Sequence, residues 1–230
     1  MPNYARRDGV MNIAAHYPLN QGAVVPDIGP KMYNALTSSE LPGGKGSTRL
    51  HMDMADAVNI MLFATPRKDG NQMKPGTAVW DIFRAEDANK IREFLINKFG
   101  LKGTDTDPIH SQFWYLDATL REELQREQGV ISWRIYQKPG EAVFIPAGCA
   151  HQVCYSRIFP DTYSQSSQVC NLSDCIKVAV DFISPENISR CAKLTQEFRT
   201  LNFQAKAWKE DVLELTQTLY HAWKSLSRPL

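Results

Sequence analysis

The sequence lacks several features, and each absence removes a class of function. No two of its cysteines stand in a Cys-X-X-Cys pair, so a zinc finger built from this chain alone is not expected. The five cysteines, Cys149, Cys154, Cys170, Cys175 and Cys191, are odd in number and follow no framework spacing. That pattern suggests reduced thiols and an intracellular setting. No apolar run is long enough to cross a bilayer. The opening "MPNYARRDGVMNIAAHYP" has no apolar core of the kind a signal peptide needs. A net charge of only +1 argues against a strongly basic nucleic-acid surface.

What remains is the composition of a globular protein with a sizeable core. Its 230 residues suit one domain with helical additions. The first 50 residues are rich in glycine and proline and read as loops with short strands. Strand candidates follow at 57–64, 77–83, 131–137 and 141–148, then at "HQVCYS" and "CIKVAVDFIS". Helices are expected at 86–100, with Ile91, Phe94, Leu95 and Phe99 on one face, and at 116–129, closed by Gly129. Two more are expected at 184–198, with Ser184 as N-cap and Pro185 at the first helical position, and at 208–226. The segment "TPRKDGNQMKPG" reads as turns, and 157–172 as a polar surface insertion. Strands do not alternate one-for-one with helices, which disfavours a parallel sheet. A mainly β antiparallel sandwich or barrel decorated with helices fits better. The expected division is a core over 1–183 and a C-terminal helical extension over 184–230.

Chemistry concentrates in two stretches. "STRLHMDMADAVNIML" places His51 and Asp53 two residues apart, and on a strand such residues face the same side. "GEAVFIPAGCAHQV" ends a strand in Pro-Ala-Gly and opens the next with His151. Gly148 permits a tight turn that aims the histidine inward. His51, Asp53 and His151 together supply two imidazoles and a carboxylate, a set that holds a metal and leaves three positions open. The donors suit Fe(II); Zn(II) would accept them but cannot activate oxygen. A lone His-X-Asp is more often a hydrogen-bonded surface pair, so the later histidine carries much of the weight. His16, His110 and His221 read as structural. Asp56 is the alternative acid.

The motifs "YARRDGVMNIA", "DIGPKMYNA", "STRLHMDMADAVNIM", "WDIFRAEDANKIREFL", "DPIHSQFWYLD", "GEAVFIPAGCAHQV", "KVAVDFISPENI" and "LTQEFR" run colinearly from residue 4 to about 199. In these the chain resembles a JmjC domain, a double-stranded β-helix (jelly roll) of the cupin type. More narrowly it is similar to the hairless-like subgroup of JmjC histone lysine demethylases. The resemblance implies Fe(II), 2-oxoglutarate and O₂, and oxidative removal of methyl groups from a lysine of the histone H3 tail, mono- or dimethylated lysine nine. It also implies a nuclear location, chromatin-associated partners, no membrane partner and no strong direct contact with nucleic acid. It assigns His51, Asp53 and His151 to the metal, and Thr48 and Asn59 to 2-oxoglutarate.

Many JmjC enzymes place a carboxylate-binding lysine just before the aromatic residue of a middle strand. Here that strand reads "GTAVWDIF" and has none. Lys177 in "CIKVAVDF" is the candidate replacement, with Ile176 and Val178 facing the opposite side toward packing; the bland reading is a solvent-facing lysine on an edge strand. Arg49 and Arg134 are the next cations in line. A zinc-finger segment found upstream in full-length relatives is not in this sequence. Cys149 and Cys154 flank His151, either as oxidation-sensitive thiols or as small packing groups. Two alternatives stay open: a JmjC protein hydroxylase, and a non-catalytic chromatin-binding domain.

Overall fold

A computed structural model describes residues 1–18, 26–36, 48–69, 72–102, 107–154, 174–205 and 213–227. The insertion at 157–172, with Cys170, lies outside the described residues. The elements are β1 (Lys31–Ala35), β2 (Thr48–His51), β3 (Asp56–Ala64), β4 (Arg67–Asp69), β5 (Gln72–Lys74), β6 (Ala78–Ile82), α1 (Ala88–Phe99), α2 (Ala118–Gln128), β7 (Trp133–Gln137), β8 (Ala142–Ile145), β9 (His151–Cys154), β10 (Cys175–Phe182), α3 (Ile188–Ala205) and α4 (Leu215–Leu226). Short 3-10 turns precede α1 and α3.

Two antiparallel four-stranded sheets form the core, ordered β1-β10-β3-β8 and β2-β9-β6-β7. Neighbours in each sheet come from distant parts of the chain, which is the signature of a jelly roll rather than a meander. Their inner faces share one apolar cluster, with Met61 from β3, Trp80 from β6, Val143 from β8, Val153 from β9 and Cys175 from β10. β3 is buried on both faces along its first half. Ala57, Asn59 and Met61 alternate with Val58, which packs under Ala5 and Phe182 on the outside. That double burial explains its almost unbroken apolar sequence.

The helices cover the outer surface of the second sheet. Ile91, Phe94 and Leu95 of α1 and Leu124 of α2 pack with Leu50, Phe83 and Ala150. Helix α1 stops at Gly100 and α2 at Gly129, both with φ near +66°, where a side chain would be strained. The Asp117 carboxylate caps α2 by accepting from the Leu120 N–H at 2.9 Å. One end of the sandwich is closed by Ile13, Ile183, Cys191, Leu213 and Leu215, which joins α3 and the start of α4 to the N-terminal segment.

Three local expectations need correction. The stretch read as turns at 65–76 holds a two-stranded hairpin, β4 with β5. Its polar sequence carries no apolar alternation of the kind that marks a half-buried strand. Ser184 precedes a 3-10 turn and its hydroxyl makes no helix cap. It donates instead to the Asp56 carboxylate at 2.6 Å. Ile176 does not pack: it is 39% exposed on the outer face of β10.

Candidate metal and cosubstrate site

The site is built where β2, β3, β6, β9 and β10 face one another. β2 pairs with β9, setting His51 opposite His151 and Thr48 opposite Val153. Thr48 and His51 are three positions apart, but Val153 and His151 only two. The extra residue is a β-bulge, and it reverses the usual alternation. Thr48 and His51 therefore both face inward, which a regular strand would forbid.

Asp53 lies beyond the end of β2, in the loop before β3. The strand argument for His-X-Asp thus holds for its histidine only. Asp53 is held by backbone: its carbonyl accepts from the Gly148 N–H at 3.4 Å. Gly148 has φ +76°, and a Cβ there would meet only ordinary contacts, so its glycine serves the turn rather than space. That turn delivers His151 to the start of β9.

The three side chains converge. His51 Nε2 is 3.7 Å from Asp53 Oδ1, and His151 Nε2 is 3.6 Å from Asp53 Oδ2. The imidazole centroids are 4.2 Å apart. All three candidate ligand atoms lie within 4.8 Å of one another, as a single metal ion would require. The other ring nitrogens are occupied. His51 Nδ1 donates to the Arg49 carbonyl at 2.8 Å and His151 Nδ1 to the Cys149 carbonyl at 3.1 Å. Each bond fixes the tautomer that points an Nε2 lone pair at the centre. Burial, and then the His51 charge, push the His151 pKa down to about 4, so the ring stays neutral as a metal ligand must.

Beside the triad lies a small cavity of about 50 Å³ that opens to solvent. Thr48, Asn59 and Lys177 line it together with the triad. Lys177 is 1% exposed, on a central strand flanked by β1 and β3, which excludes the solvent-facing reading. Its Nζ lies 4.4 Å from the Trp80 ring centroid. The cation therefore crosses from the first sheet to the aromatic of "AVWDIF", the strand that has no lysine of its own. Burial lowers its pKa to about 7. Trp80 is locked in turn: its Nε1 donates to Gln137 Oε1 at 2.8 Å, and Gln137 Nε2 donates to the Asn59 carbonyl at 2.9 Å. The buried Asn59 Oδ1 has no hydrogen-bond partner among the described residues, and Asn59 lines the same cavity.

The other candidates are used elsewhere. Asp56 accepts from the Ala147 N–H, the Ser184 N–H and hydroxyl, and the Asn187 amide, all within 2.8 Å. Its oxygens are saturated and it does not line the cavity beside the triad. Arg134 forms a bidentate pair with buried Asp81, at 3.0 and 2.9 Å. Arg49 contributes its carbonyl to His51, not its charge to the cavity. His110 is buried rather than on the surface, paired with Glu197 at 3.1 Å in a cluster with Arg92. Burial raises the pKa of the Cys149 thiol and pushes that of Cys191 up to about 12, so both stay protonated and unreactive. Sequence reasoning missed Lys31, Tyr33, Trp80 and Asp181, which also line the cavity. For Asp181 a signal existed: it stands four residues after Lys177 on the same strand, hence on the same face.

A sequence model described as "JmjC domain, hydroxylase" matches residues 71–156. Over that segment the chain matches the JmjC family. It is 41% identical to human lysine-specific demethylase 3A over 97% of this chain and 18% of that protein. It is 42% identical to Drosophila melanogaster lysine-specific demethylase 3 over 97% of this chain and 28% of that protein. Arabidopsis thaliana lysine-specific demethylase JMJ26 is 36% identical over 94% of the chain and 28% of its own length. The chain thus spans between about a fifth and a little over a quarter of these relatives. The jelly roll seen here is the JmjC architecture.

Proposed function

We propose that this chain is the catalytic region of an Fe(II)- and 2-oxoglutarate-dependent oxygenase that demethylates a lysine of the histone H3 tail. The supporting observation is the pairing of two things in one cavity. One is a His51–Asp53–His151 cluster with both Nδ1 atoms tied to carbonyls; the other is a buried cation, Lys177.

The residues divide the work by position. His51, Asp53 and His151 would hold Fe(II), and the carboxylate offsets part of its charge. Lys177 would receive the far carboxylate of 2-oxoglutarate in a low-dielectric site, where one charge-assisted bond is worth most. Thr48 and Asn59 would add neutral hydrogen bonds, Asn59 through its unmet acceptor or, rotated, its amide. Trp80, stacked 28° from the plane of His151 and locked by Gln137, keeps the inner wall apolar and water out. Bound Fe(II), 2-oxoglutarate and O₂ supply the oxidation of an N-methyl C–H, after which the hydroxymethyl group leaves as formaldehyde. The protein's share is orientation and electrostatics.

This reading carries a nuclear location, chromatin-associated partners and mono- or dimethylated lysine nine as the preferred mark. It treats 1–183 as the catalytic core and 184–230 as an extension packed on it. The second reading is a protein hydroxylase, the activity named for the family matched over residues 71–156. Mass spectrometry on a panel of methylated H3 peptides, with Fe(II) and with or without 2-oxoglutarate, separates the two. Loss of methyl mass with formaldehyde release supports demethylation. Gain of a stable oxygen supports hydroxylation. No change in any peptide refutes both.

A further inference from the structure

The mouth of the cavity carries an ion pair that the reading above does not use. Lys31 of β1 and Asp181 of β10 meet at 2.6 Å. Both side chains face inward. Lys177, Ala179 and Asp181 alternate on one face of β10, and Lys31 pairs with Ala179 across the ladder. Both line the cavity of His51, Asp53 and His151. The two partners are unequally held. The Asp181 side chain is 14% exposed on a central strand, while the Lys31 side chain is 39% exposed on the edge strand. Tyr33, 43% exposed, walls the same opening. The Asp53 charge reaches Lys31, Tyr33 and Asp181, so the group lies close to the candidate metal centre.

Resting on the demethylase reading, we propose that Asp181 is the residue that recognises the substrate's methylammonium group, and that Lys31 is its internal placeholder, displaced when the substrate lysine enters. The cavity has two charged ends. Its deep end holds buried Lys177, suited to an anion. Its mouth offers Asp181, suited to a cation, but already carrying a lysine ammonium from the chain itself. A lysine substrate would present the same group on the same length of stem. Exchange is easy on one side only: Lys31 can swing its flexible stem into water, whereas Asp181 cannot follow it. A carboxylate also discriminates between methylation states. Mono- and dimethylammonium keep an N–H to donate to it, and trimethylammonium keeps none.

The test compares binding, not turnover. Labelled H3 peptides carrying dimethyl-lysine, trimethyl-lysine or uncharged norleucine at the target position are titrated by fluorescence anisotropy. The protein is loaded with Fe(II) and 2-oxoglutarate without oxygen. Wild type is expected to bind the dimethyl peptide tightest. Asp181→Asn should weaken that binding by about tenfold or more and erase its lead over norleucine. Lys31→Met, which keeps the stem and removes the competitor, should tighten it by about two- to fivefold. Affinity for Fe(II) and 2-oxoglutarate should stay as in wild type in both. An unchanged preference in Asp181→Asn, or equal or weaker binding in Lys31→Met, overturns the proposal. A pair that merely fastened β1 to β10 would give that second result, so Lys31→Met decides even if Asp181→Asn does not fold. If wild type releases formaldehyde while these variants behave like it, the inference alone fails. If wild type releases none and prefers no cationic peptide, the functional reading fails with it.

Discussion

Replacing Lys177 by methionine should stabilise the protein without cosubstrate and cripple it with cosubstrate. The two effects share one cause. Lys177 is 1% exposed, and burial lowers its pKa from 10.5 to about 7. At 1.36 kcal/mol per pH unit, that fall corresponds to about 5 kcal/mol of penalty for carrying the charge in the folded state. The unfolded chain binds more protons than the native one between pH 7 and 10.5. Wild-type stability therefore rises with pH through that window, and the full penalty applies below it. Methionine keeps an unbranched apolar stem but loses the contact with Trp80, which takes back ~0.5–2 kcal/mol. Imperfect packing takes back more, leaving a net gain on the order of 2 kcal/mol near pH 7. For a domain of this size that raises Tm by about 4–8 °C. Loss of the charge-assisted bond to the 2-oxoglutarate tail costs ~1.5–3 kcal/mol, a rise of about 10- to 150-fold in its Kd. Thermal unfolding between pH 6.5 and 9.5 reads the first effect; calorimetric titration of 2-oxoglutarate onto the Mn(II)-loaded protein reads the second. The variant should also lose the upward slope of stability with pH. A Lys177→Met protein that is less stable at pH 7 and binds 2-oxoglutarate as wild type does would refute the assignment.

His51→Ala or His151→Ala should abolish Fe(II) binding and turnover while circular dichroism stays native, because either change leaves only two protein ligands; wild-type turnover with iron present would overturn the ligand set. Asp53→Asn keeps the shape and removes a negative charge, so Fe(II) affinity should fall by at least about tenfold in a metal titration. Asp56→Ala should leave four donors unmet and cost on the order of 3 kcal/mol or more, read as a lowered urea midpoint. Cys149→Ser should leave activity in hydrogen peroxide no better than wild type, since burial keeps the Cys149 thiol protonated; a protected variant would show that the thiol reacts.

How much of this was legible in the sequence varies with the physics involved. The strands of the core and helices α1 and α2 were readable because burial imposes a period, and Gly100 and Gly129 close the helices by a backbone rule. The hairpin β4–β5 was not, because its polar sequence shows no apolar alternation. His51 and His151 were readable as donors, but the reason Thr48 joins them was not. A strand of strict alternation sends Thr48 to the other face, and only the bulge against β9 returns it. Asp53 was found for a partly wrong reason, since it sits past the strand end. The Lys177–Trp80 contact was out of reach: alternation gives a residue's face, not which residue lies across a sandwich. Ser184 shows the same limit. Its N-cap pattern is real, yet a tertiary partner, Asp56, claims the hydroxyl.

Asp53, Asp56, Asp81 and Asp181 lie in or beside the core, and their surroundings separate them by use. Asp56 is saturated by donors and fixes the Ala147 turn to Ser184, the frame from which Gly148 and then His151 are delivered. Asp81 is saturated by Arg121, Arg134, Ser132 and Gln152, and so holds β6, β7 and α2 to the residue beside His151. Neither has an oxygen left for a ligand. Asp53 meets no arginine or lysine in an ion pair among the described residues; its oxygens face two imidazole nitrogens whose protons have been drawn to the far side of each ring. Asp181 holds one cation that can leave. A saturated acid is scaffolding, an acid facing two imidazole nitrogens is a place for a metal, and an acid with a detachable partner is a place for a substrate charge. On that basis the acids that look interchangeable in the sequence, Asp53 and Asp56 three residues apart, take opposite roles.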